Sequence, residues 1–71
     1  MNILVVGAGG QIGTELIPHL QSLYGEDNVI AADLKKENVT RMSGFSRAIV
    51  LDALDREAFR DVVVKNRIDR I

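Results

Sequence analysis

Three glycines near the start of the chain have the spacing of a phosphate-binding turn. Gly7, Gly10 and Gly13 follow a short apolar run and precede a helix-like pattern. The first glycine would allow a tight turn, the second would let a pyrophosphate approach the backbone, and the third would let the helix pack against the strand. The free N–H groups at the start of that helix, together with the helix dipole, would then face the phosphates.

The G-x-x-G-x-x-G spacing differs from two other phosphate-binding motifs. A G-x-G-x-x-G motif beginning at Gly7 would need glycine where Ile12 stands, and a P-loop would need lysine where Thr14 stands. Three glycines alone are also compatible with a turn that only lets helix and strand pack. The residues at the ends of the following strands are therefore needed to choose between these interpretations.

Asp33 and Asp52 each end a predicted strand, at the sheet edge where open α/β sheets bind ligands. Asp33, twenty positions after the last of the three glycines, could accept hydrogen bonds from adenosine ribose hydroxyls and repel a 2′-phosphate. Lys35 and Lys36 could instead reach such a phosphate, so the pattern favours NAD while leaving NADP open. Asp52 could accept from the adenine amino group. The alternatives are a loop-capping role for Asp33 and a turn or helix-start role for Asp52.

The elements that position these residues alternate between strand and helix. Apolar runs predict strands at Ile3–Val6, Asn28–Asp33 and Arg47–Leu51, and the start of a fourth strand at Ile68–Ile71. The first run is continuous rather than alternating, which is typical of a parallel strand buried on both faces. The first strand-helix-strand unit has the length of a βαβ unit, about 30 residues, and its crossover is expected to be right-handed.

Two helices are predicted from apolar spacings of three and four. The first covers Gln11–Tyr24 and contains Pro18, which normally kinks a helix or removes one hydrogen bond. Its predicted apolar stripe consists of Ile12, Leu16, Ile17, Leu20, Leu23 and Tyr24. The second helix has Asp55 as its N-cap and ends near Asn66.

The polar segment Leu34–Ser46 has no clear period and predicts a loop with at most a short helical turn. The predicted fold class is therefore α/β: the N-terminal half of a Rossmann-type doubly wound parallel sheet, β-α-β-β-α with the start of a fourth strand. The predicted strand order is 3-2-1.

Composition excludes several classes of protein. Seventy-one residues can form one small domain, and the absence of cysteine excludes disulfides and cysteine-based metal sites. Ten acidic and nine basic residues give no electrostatic reason to bind nucleic acid or an anionic membrane. The N-terminus has neither a signal-peptide pattern nor a membrane-spanning run, so the expected location is cytoplasmic. No metal cluster is visible, and His19, without a partner, is expected at the surface.

The residues VVGAGGQIG, VIAADL and VLDALDREAF resemble the start of an extended short-chain dehydrogenase/reductase of the NAD-dependent epimerase/dehydratase superfamily. GQIGTEL and YGEDNVIAADL are most similar to its L-threonine 3-dehydrogenase branch, although sugar-nucleotide epimerases and dehydratases begin similarly. The resemblance covers Asn2 to Ile71 and implies a partial NAD(P)-binding Rossmann domain over 1–71. NAD is the expected cofactor, with NADP as the alternative.

The resemblance also assigns cofactor contacts to individual residues. It implies phosphate contacts at Gly7, Gly10, Gln11, Ile12 and Gly13. It implies a ribose contact at Asp33, with Leu34 beside the adenine, and adenine contacts at Asp52 and the Ala53 backbone. Many family members have a larger aliphatic residue at the position of Ala53, so the adenine wall is expected to be thinner.

The catalytic residues of the family have no counterpart in these 71 residues. The family uses a Tyr and a Lys four positions apart, but Tyr24 is followed at that distance by Asn28 and is expected in the core. Catalysis is therefore not expected from this chain alone. Three functional hypotheses remain beside the dehydrogenase: part of a sugar-nucleotide epimerase or dehydratase, a non-catalytic NAD(P)-sensing module, and a structural module without a ligand.

The end of the predicted sheet leaves one side of the first strand unpaired. Such an apolar edge is a template for association. The chain is therefore expected either to be a piece of a longer enzyme or to cover this edge by dimerising or by exchanging elements with a second copy.

Overall fold

The computed structural model describes residues 1–71 as a three-stranded sheet with helices on both faces. The strands are β1 (Ile3–Val6), β2 (Val29–Asp33) and β3 (Arg47–Val50), and all of them are parallel. The helices are α1 (Gln11–Tyr24), α2 (Lys36–Met42) and α3 (Arg56–Lys65), and one 3-10 turn covers Glu26–Asn28. The predicted fold class and the strand order β1-β2-β3 are confirmed.

Strand β2 is the centre of the sheet because it pairs with β1 on one side and β3 on the other. All five of its residues are buried, and the side chains of the first four alternate between two hydrophobic clusters. Val29 and Ala31 pack with Ile17 of α1 and Met42 of α2. Ile30 and Ala32 belong to the opposite cluster, which includes Leu4, Leu51 and partly buried side chains of α3.

The loop predicted over Leu34–Ser46 is wrong in its central part, since α2 makes almost two turns there. Met42 is fully buried and Val39 packs beside it, so one face of α2 contacts the sheet. Only these two apolar residues mark the buried face, which is too few to show a helical period in a polar segment. Tertiary packing therefore fixes a helix that the local pattern does not reveal.

Helix α1 has the predicted bounds and continues through Pro18, but its buried face differs from the predicted stripe. Gly13 and Ile17 are its buried residues, whereas Ile12 is 81% exposed and Tyr24, expected in the core, is 39% exposed. The glycine lets α1 approach the turn closely, which directs the adjacent face toward the sheet. His19 is exposed, as expected.

Strand β1 is less buried than its continuous apolar sequence predicts. Ile3 and Leu4 are buried, but Val6 is 38% exposed because β1 is an edge strand here. The predicted fourth strand is reduced to a single parallel bridge between Ile3 and Arg70, with the Leu4 N–H donating to the Arg70 carbonyl at 2.9 Å. No helix of the chain has the length and apolar character needed to span a membrane.

Candidate functional site

The glycine turn leaves β1 at Gly7, whose φ of 71° lies in the region that favours glycine. The next residue, Ala8, is fully buried and donates its N–H to the Ala32 carbonyl at 3.0 Å. This bond extends the pairing of β1 with β2 beyond the end of the strand. The turn is thus anchored directly to the central strand of the sheet.

Gly13 and Gly10 are glycines for different physical reasons. A Cβ atom at Gly13 would lie 2.6 Å from the Cα of Ala8, so only glycine fits between α1 and the turn. At Gly10 a Cβ would meet nothing closer than the Gly7 carbonyl oxygen at 3.8 Å, and φ is −74°. The fold itself therefore requires glycine at position 13 but leaves open space at position 10.

The first turn of α1 presents unused hydrogen-bond donors beside that open space. The backbone N–H groups of Gln11, Ile12 and Gly13 have no acceptor within the chain, and the first helical bond runs from Thr14 to the Gly10 carbonyl. Gly10 is the N-cap and supplies no side-chain acceptor. A helix N-terminus of this kind favours an anion both through its free N–H groups and through its dipole.

Asp33 joins the end of β2 to the glycine turn. Its Oδ2 accepts from the Gly9 N–H at 2.8 Å, and its Oδ1 accepts from the Lys35 N–H at 2.9 Å and the Asn38 amide at 3.2 Å. The Lys35 N–H chiefly lowers the pKa of the Asp33 carboxyl below its ordinary value, burial opposes this, and Asn38 and Gly9 add to the lowering. The carboxylate is therefore ionised near neutral pH, with acceptor capacity left mainly on Oδ2.

Helix α2 contributes two residues that the sequence analysis did not single out. Asn38 lies against the turn so closely that a Cβ at Gly9 would approach its Cβ to 2.5 Å. Arg41 donates from Nη2 to the Gly9 carbonyl at 2.7 Å. The Gly9 backbone is thus held at both of its polar groups, the N–H by Asp33 and the carbonyl by Arg41. No local sequence signal could have identified these contacts, because they depend on where α2 packs.

The end of β3 lies beside the end of β2, since the Leu51 N–H donates to the Asp33 carbonyl at 3.0 Å. Asp52 follows and accepts from the Leu54 N–H at 2.9 Å through Oδ1. Leu34 is 64% exposed and Leu54 is 90% exposed, so two apolar side chains at this edge are in contact with solvent, and Ala53 is also exposed. Leu54 was not among the predicted site residues.

These contacts and strand ends place the predicted residues at one edge of the sheet, with Asp33 alone touching the turn through its side chain. An apolar groove with a volume of about 620 Å³ lies elsewhere, beside the free edge of β1. It is lined by β1, by Leu16, Leu20 and Tyr24 of α1, and by Ile71. No three His, Asp or Glu side chains come together in the chain as metal ligands could.

A family model described as the NAD dependent epimerase/dehydratase family matches residues 3–71 of the chain. An uncharacterized epimerase/dehydratase of Staphylococcus haemolyticus is 36% identical over 69 residues, which cover 97% of this chain and 22% of that protein. Relatives of the same description from Staphylococcus aureus are 36% identical over 61 residues, covering 86% of this chain and 19% of theirs. The chain thus spans about a fifth of the length of these relatives.

Solved structures of L-threonine dehydrogenases have the same fold over nearly the whole chain. The enzyme from Clostridium difficile superposes with a TM-score of 0.88 at 36% identity, covering 99% of this chain and 22% of that one. A partial consensus L-threonine 3-dehydrogenase superposes with a TM-score of 0.85 at 40% identity, covering 96% of this chain and 21% of that one. The enzyme from Phytophthora infestans superposes with a TM-score of 0.82 at 30% identity, covering 100% of this chain and 22% of that one.

Proposed function

Since the chain belongs to the NAD-dependent epimerase/dehydratase family, we propose that it binds the adenosine diphosphate half of NAD. The site is the edge of the sheet formed by the carboxyl ends of its strands. Family membership implies a nicotinamide dinucleotide as cofactor. The observation that carries the proposal is the open space at Gly10 beside the free N–H groups of α1. A glycine that the fold does not need, placed at a helix N-terminus, is what a closely approaching pyrophosphate requires.

In this proposal each part of the cofactor has its own contacts. The pyrophosphate is held by the backbone of Gly7, Gly10, Gln11, Ile12 and Gly13. The adenosine ribose donates to Asp33, and the adenine lies along Leu34 near Asp52 and Ala53. Asp52 has one carboxylate oxygen engaged by Leu54 and one with no partner in the chain, which leaves an acceptor for the adenine amino group.

NAD rather than NADP is the proposed cofactor because Asp33 is ionised. A carboxylate accepts hydrogen bonds from both ribose hydroxyls and repels a phosphate on the 2′-oxygen. The bonds from Gly9 and Lys35 fix its orientation, so it cannot easily turn away from the ribose.

The 71 residues form, in this proposal, a partial NAD-binding Rossmann domain of an oxidoreductase that acts on L-threonine. The structural similarity to L-threonine dehydrogenases supports this activity. When bound, the nicotinamide would accept hydride from the β-carbon of the substrate, while these residues bind and orient the adenosine end. Catalytic groups would come from outside the 71 residues. A sugar-nucleotide epimerase or dehydratase remains the alternative, since the curated relative from Staphylococcus haemolyticus, 36% identical, is described as an uncharacterized epimerase/dehydratase.

Isothermal titration of the chain with NAD, and separately with NADP, tests the cofactor proposal. We expect NAD to bind and NADP to bind more weakly. Gly10→Ala is the matched variant. The fold has room for the added methyl group, but this group would occupy the space that the pyrophosphate needs. Folded protein that releases no heat with either dinucleotide would contradict the proposal and favour a structural module without a ligand.

A further inference from the structure

Helix α2 presents two neighbouring rows of side chains, one to the sheet and one to the glycine turn. Val39 and Met42 pack against the sheet. Asn38 and Arg41, each one position earlier, contact the turn at Gly9. Residues three apart on a helix share a face, so packing of the apolar pair also fixes where Asn38 lies.

Asn38 is the only side chain that donates a hydrogen bond to Asp33. Its amide nitrogen lies 3.2 Å from Asp33 Oδ1, whereas the other two donors are the backbone N–H groups of Gly9 and Lys35. Asp33 is 9% exposed, so water has little access to replace the amide if it is removed. The hold on this carboxylate therefore depends on the residue type at position 38.

The orientation of the Asn38 amide is set at both of its ends. Its nitrogen faces the Asp33 carboxylate, and its oxygen lies 3.5 Å from Arg41 Nη2. Turning the amide over would place its oxygen against a carboxylate and its NH₂ group against a guanidinium, and both contacts are repulsive. Arg41 is itself held by the Gly9 carbonyl at 2.7 Å. The Asn38 donor is thus in place before any ligand binds.

The two carboxylate oxygens of Asp33 differ in the acceptor capacity that they have left. Oδ1 accepts from Lys35 and from Asn38, whereas Oδ2 accepts only from Gly9. An oxygen with two donors has used both of its lone pairs, so Oδ2 is the atom with a lone pair free for a ribose hydroxyl. Without the Asn38 bond the carboxylate has more freedom to turn about its Cβ–Cγ bond, and binding a hydroxyl must then restrict that freedom.

From these contacts we propose that Asn38 is a positioning residue for ribose recognition, which holds the Asp33 carboxylate with Oδ2 available to the ligand. The inference rests on the proposed function, because it requires the adenosine ribose to bind Asp33. It adds a residue of α2 that affects cofactor affinity without touching the cofactor. Its effect should therefore appear only with ligands that carry the ribose hydroxyls.

Titrations with 5′-AMP and with 2′,3′-dideoxy-5′-AMP isolate the hydroxyls, because the two ligands differ only in those groups. The measured quantity is the ratio of the dissociation constant of the dideoxy ligand to that of 5′-AMP. Asn38→Leu, which has a similar size but no donor, is expected to lower this ratio about threefold, the scale of one hydrogen bond. Asn38→Gln, which keeps the amide on a longer side chain, is expected to restore part of the ratio.

Thr40→Val, at an exposed position of α2, is the matched control for a change in the helix. Asn38→Ala also removes the donor and favours the helix, so it gives the same test if Asn38→Leu does not fold. A purely structural role of Asn38 would change both dissociation constants alike and leave their ratio as it was.

An unchanged ratio in a folded variant without the donor, or an equal fall in Thr40→Val, overturns the inference. In that case the proposed function still stands, provided that the unaltered chain binds 5′-AMP more tightly than the dideoxy ligand. If the unaltered folded chain binds both ligands equally, or binds neither, the proposed ribose contact at Asp33 fails and the inference fails with it.

Discussion

Asp33 Oδ2 accepts a hydrogen bond from the Gly9 N–H at 2.8 Å, which ties the end of β2 to the glycine turn. The same carboxylate accepts from Lys35 at the start of α2, so one side chain connects three elements. The residue proposed to bind ribose is therefore also a structural residue. Removing it is expected to affect both folding and cofactor binding, and the two effects need separate measurements.

Replacing Asp33 with Asn is expected to destabilise the chain by about 1–3 kcal/mol at pH 7, because one of the backbone N–H groups loses its acceptor. This loss of stability should become smaller as the pH is lowered. The folded-state pKa of Asp33 lies below its ordinary value of 3.8, so its stabilising effect is complete above about pH 5 and is lost as pH falls through 3.8 toward the folded-state pKa.

Urea unfolding of both proteins at pH 7 and pH 3 measures this difference. Asp61→Asn is the matched control, since Asp61 is exposed on α3 and its carboxylate makes no hydrogen bond. An equal cost of Asp33→Asn at both pH values would contradict the prediction.

Alanine at Gly13 and at Gly10 should separate folding from binding. Gly13→Ala places a methyl group against the Ala8 backbone and is expected to cost about 1–3 kcal/mol through overpacking. Gly10→Ala meets only ordinary contact and is expected to cost less than about 1 kcal/mol, mainly from a poorer N-cap. Thermal unfolding and NAD titration together check the pair. A Gly10→Ala variant that binds NAD normally would show that the pyrophosphate does not approach there.

Gly7→Ala is expected to destabilise the chain by about 1–2 kcal/mol, because its φ of 71° is strained for any residue with a Cβ. No atom lies within 4 Å of the added methyl group, so the cost comes from the backbone and not from crowding. Gly44→Ala is the control, with its added Cβ in ordinary contact at 3.6 Å from the Arg41 carbonyl. Denaturant midpoints compare the two. Similar midpoints for both variants would exclude backbone strain at Gly7.

The apolar groove beside β1 is expected to make the 71-residue chain associate at micromolar concentration. Val6 is partly exposed there, and the β1 backbone beyond Leu4 has no strand on that side. We propose that the groove is covered by further residues of a longer chain or, where these are absent, by a second copy of the chain. Sedimentation velocity measures the state directly, and a folded monomer at these concentrations would contradict the prediction.

A charge in the groove should weaken that association. Leu16→Lys introduces a lysine into its lining, whereas Val64→Lys makes the same change at an exposed position on α3. Only the first variant is expected to lower the sedimentation coefficient. If both variants sediment like the unaltered chain, the groove is not the contact surface.

The sequence by itself determined the order of the three strands, the places of the first and last helices, and the fold class. Continuous apolar runs mark the three strands because both faces of a parallel sheet are covered. The N-cap at Asp55 is confirmed by its bond from the Ala58 N–H at 3.1 Å, a local contact that the residue type and its position predict. The glycine spacing similarly predicts where β1 ends and α1 begins, since these features depend on neighbours along the chain.

Only the tertiary structure decided which faces are buried and what surrounds Asp33. Ile12 is exposed and Ile17 buried because the close approach at Gly13 sets the rotation of α1. Helix α2 forms where the local pattern is weak because Met42 finds a place on the sheet. That packing brings Arg41 to the Gly9 carbonyl across 32 positions of sequence. Contacts of this kind depend on how elements dock, and no spacing within one element encodes them.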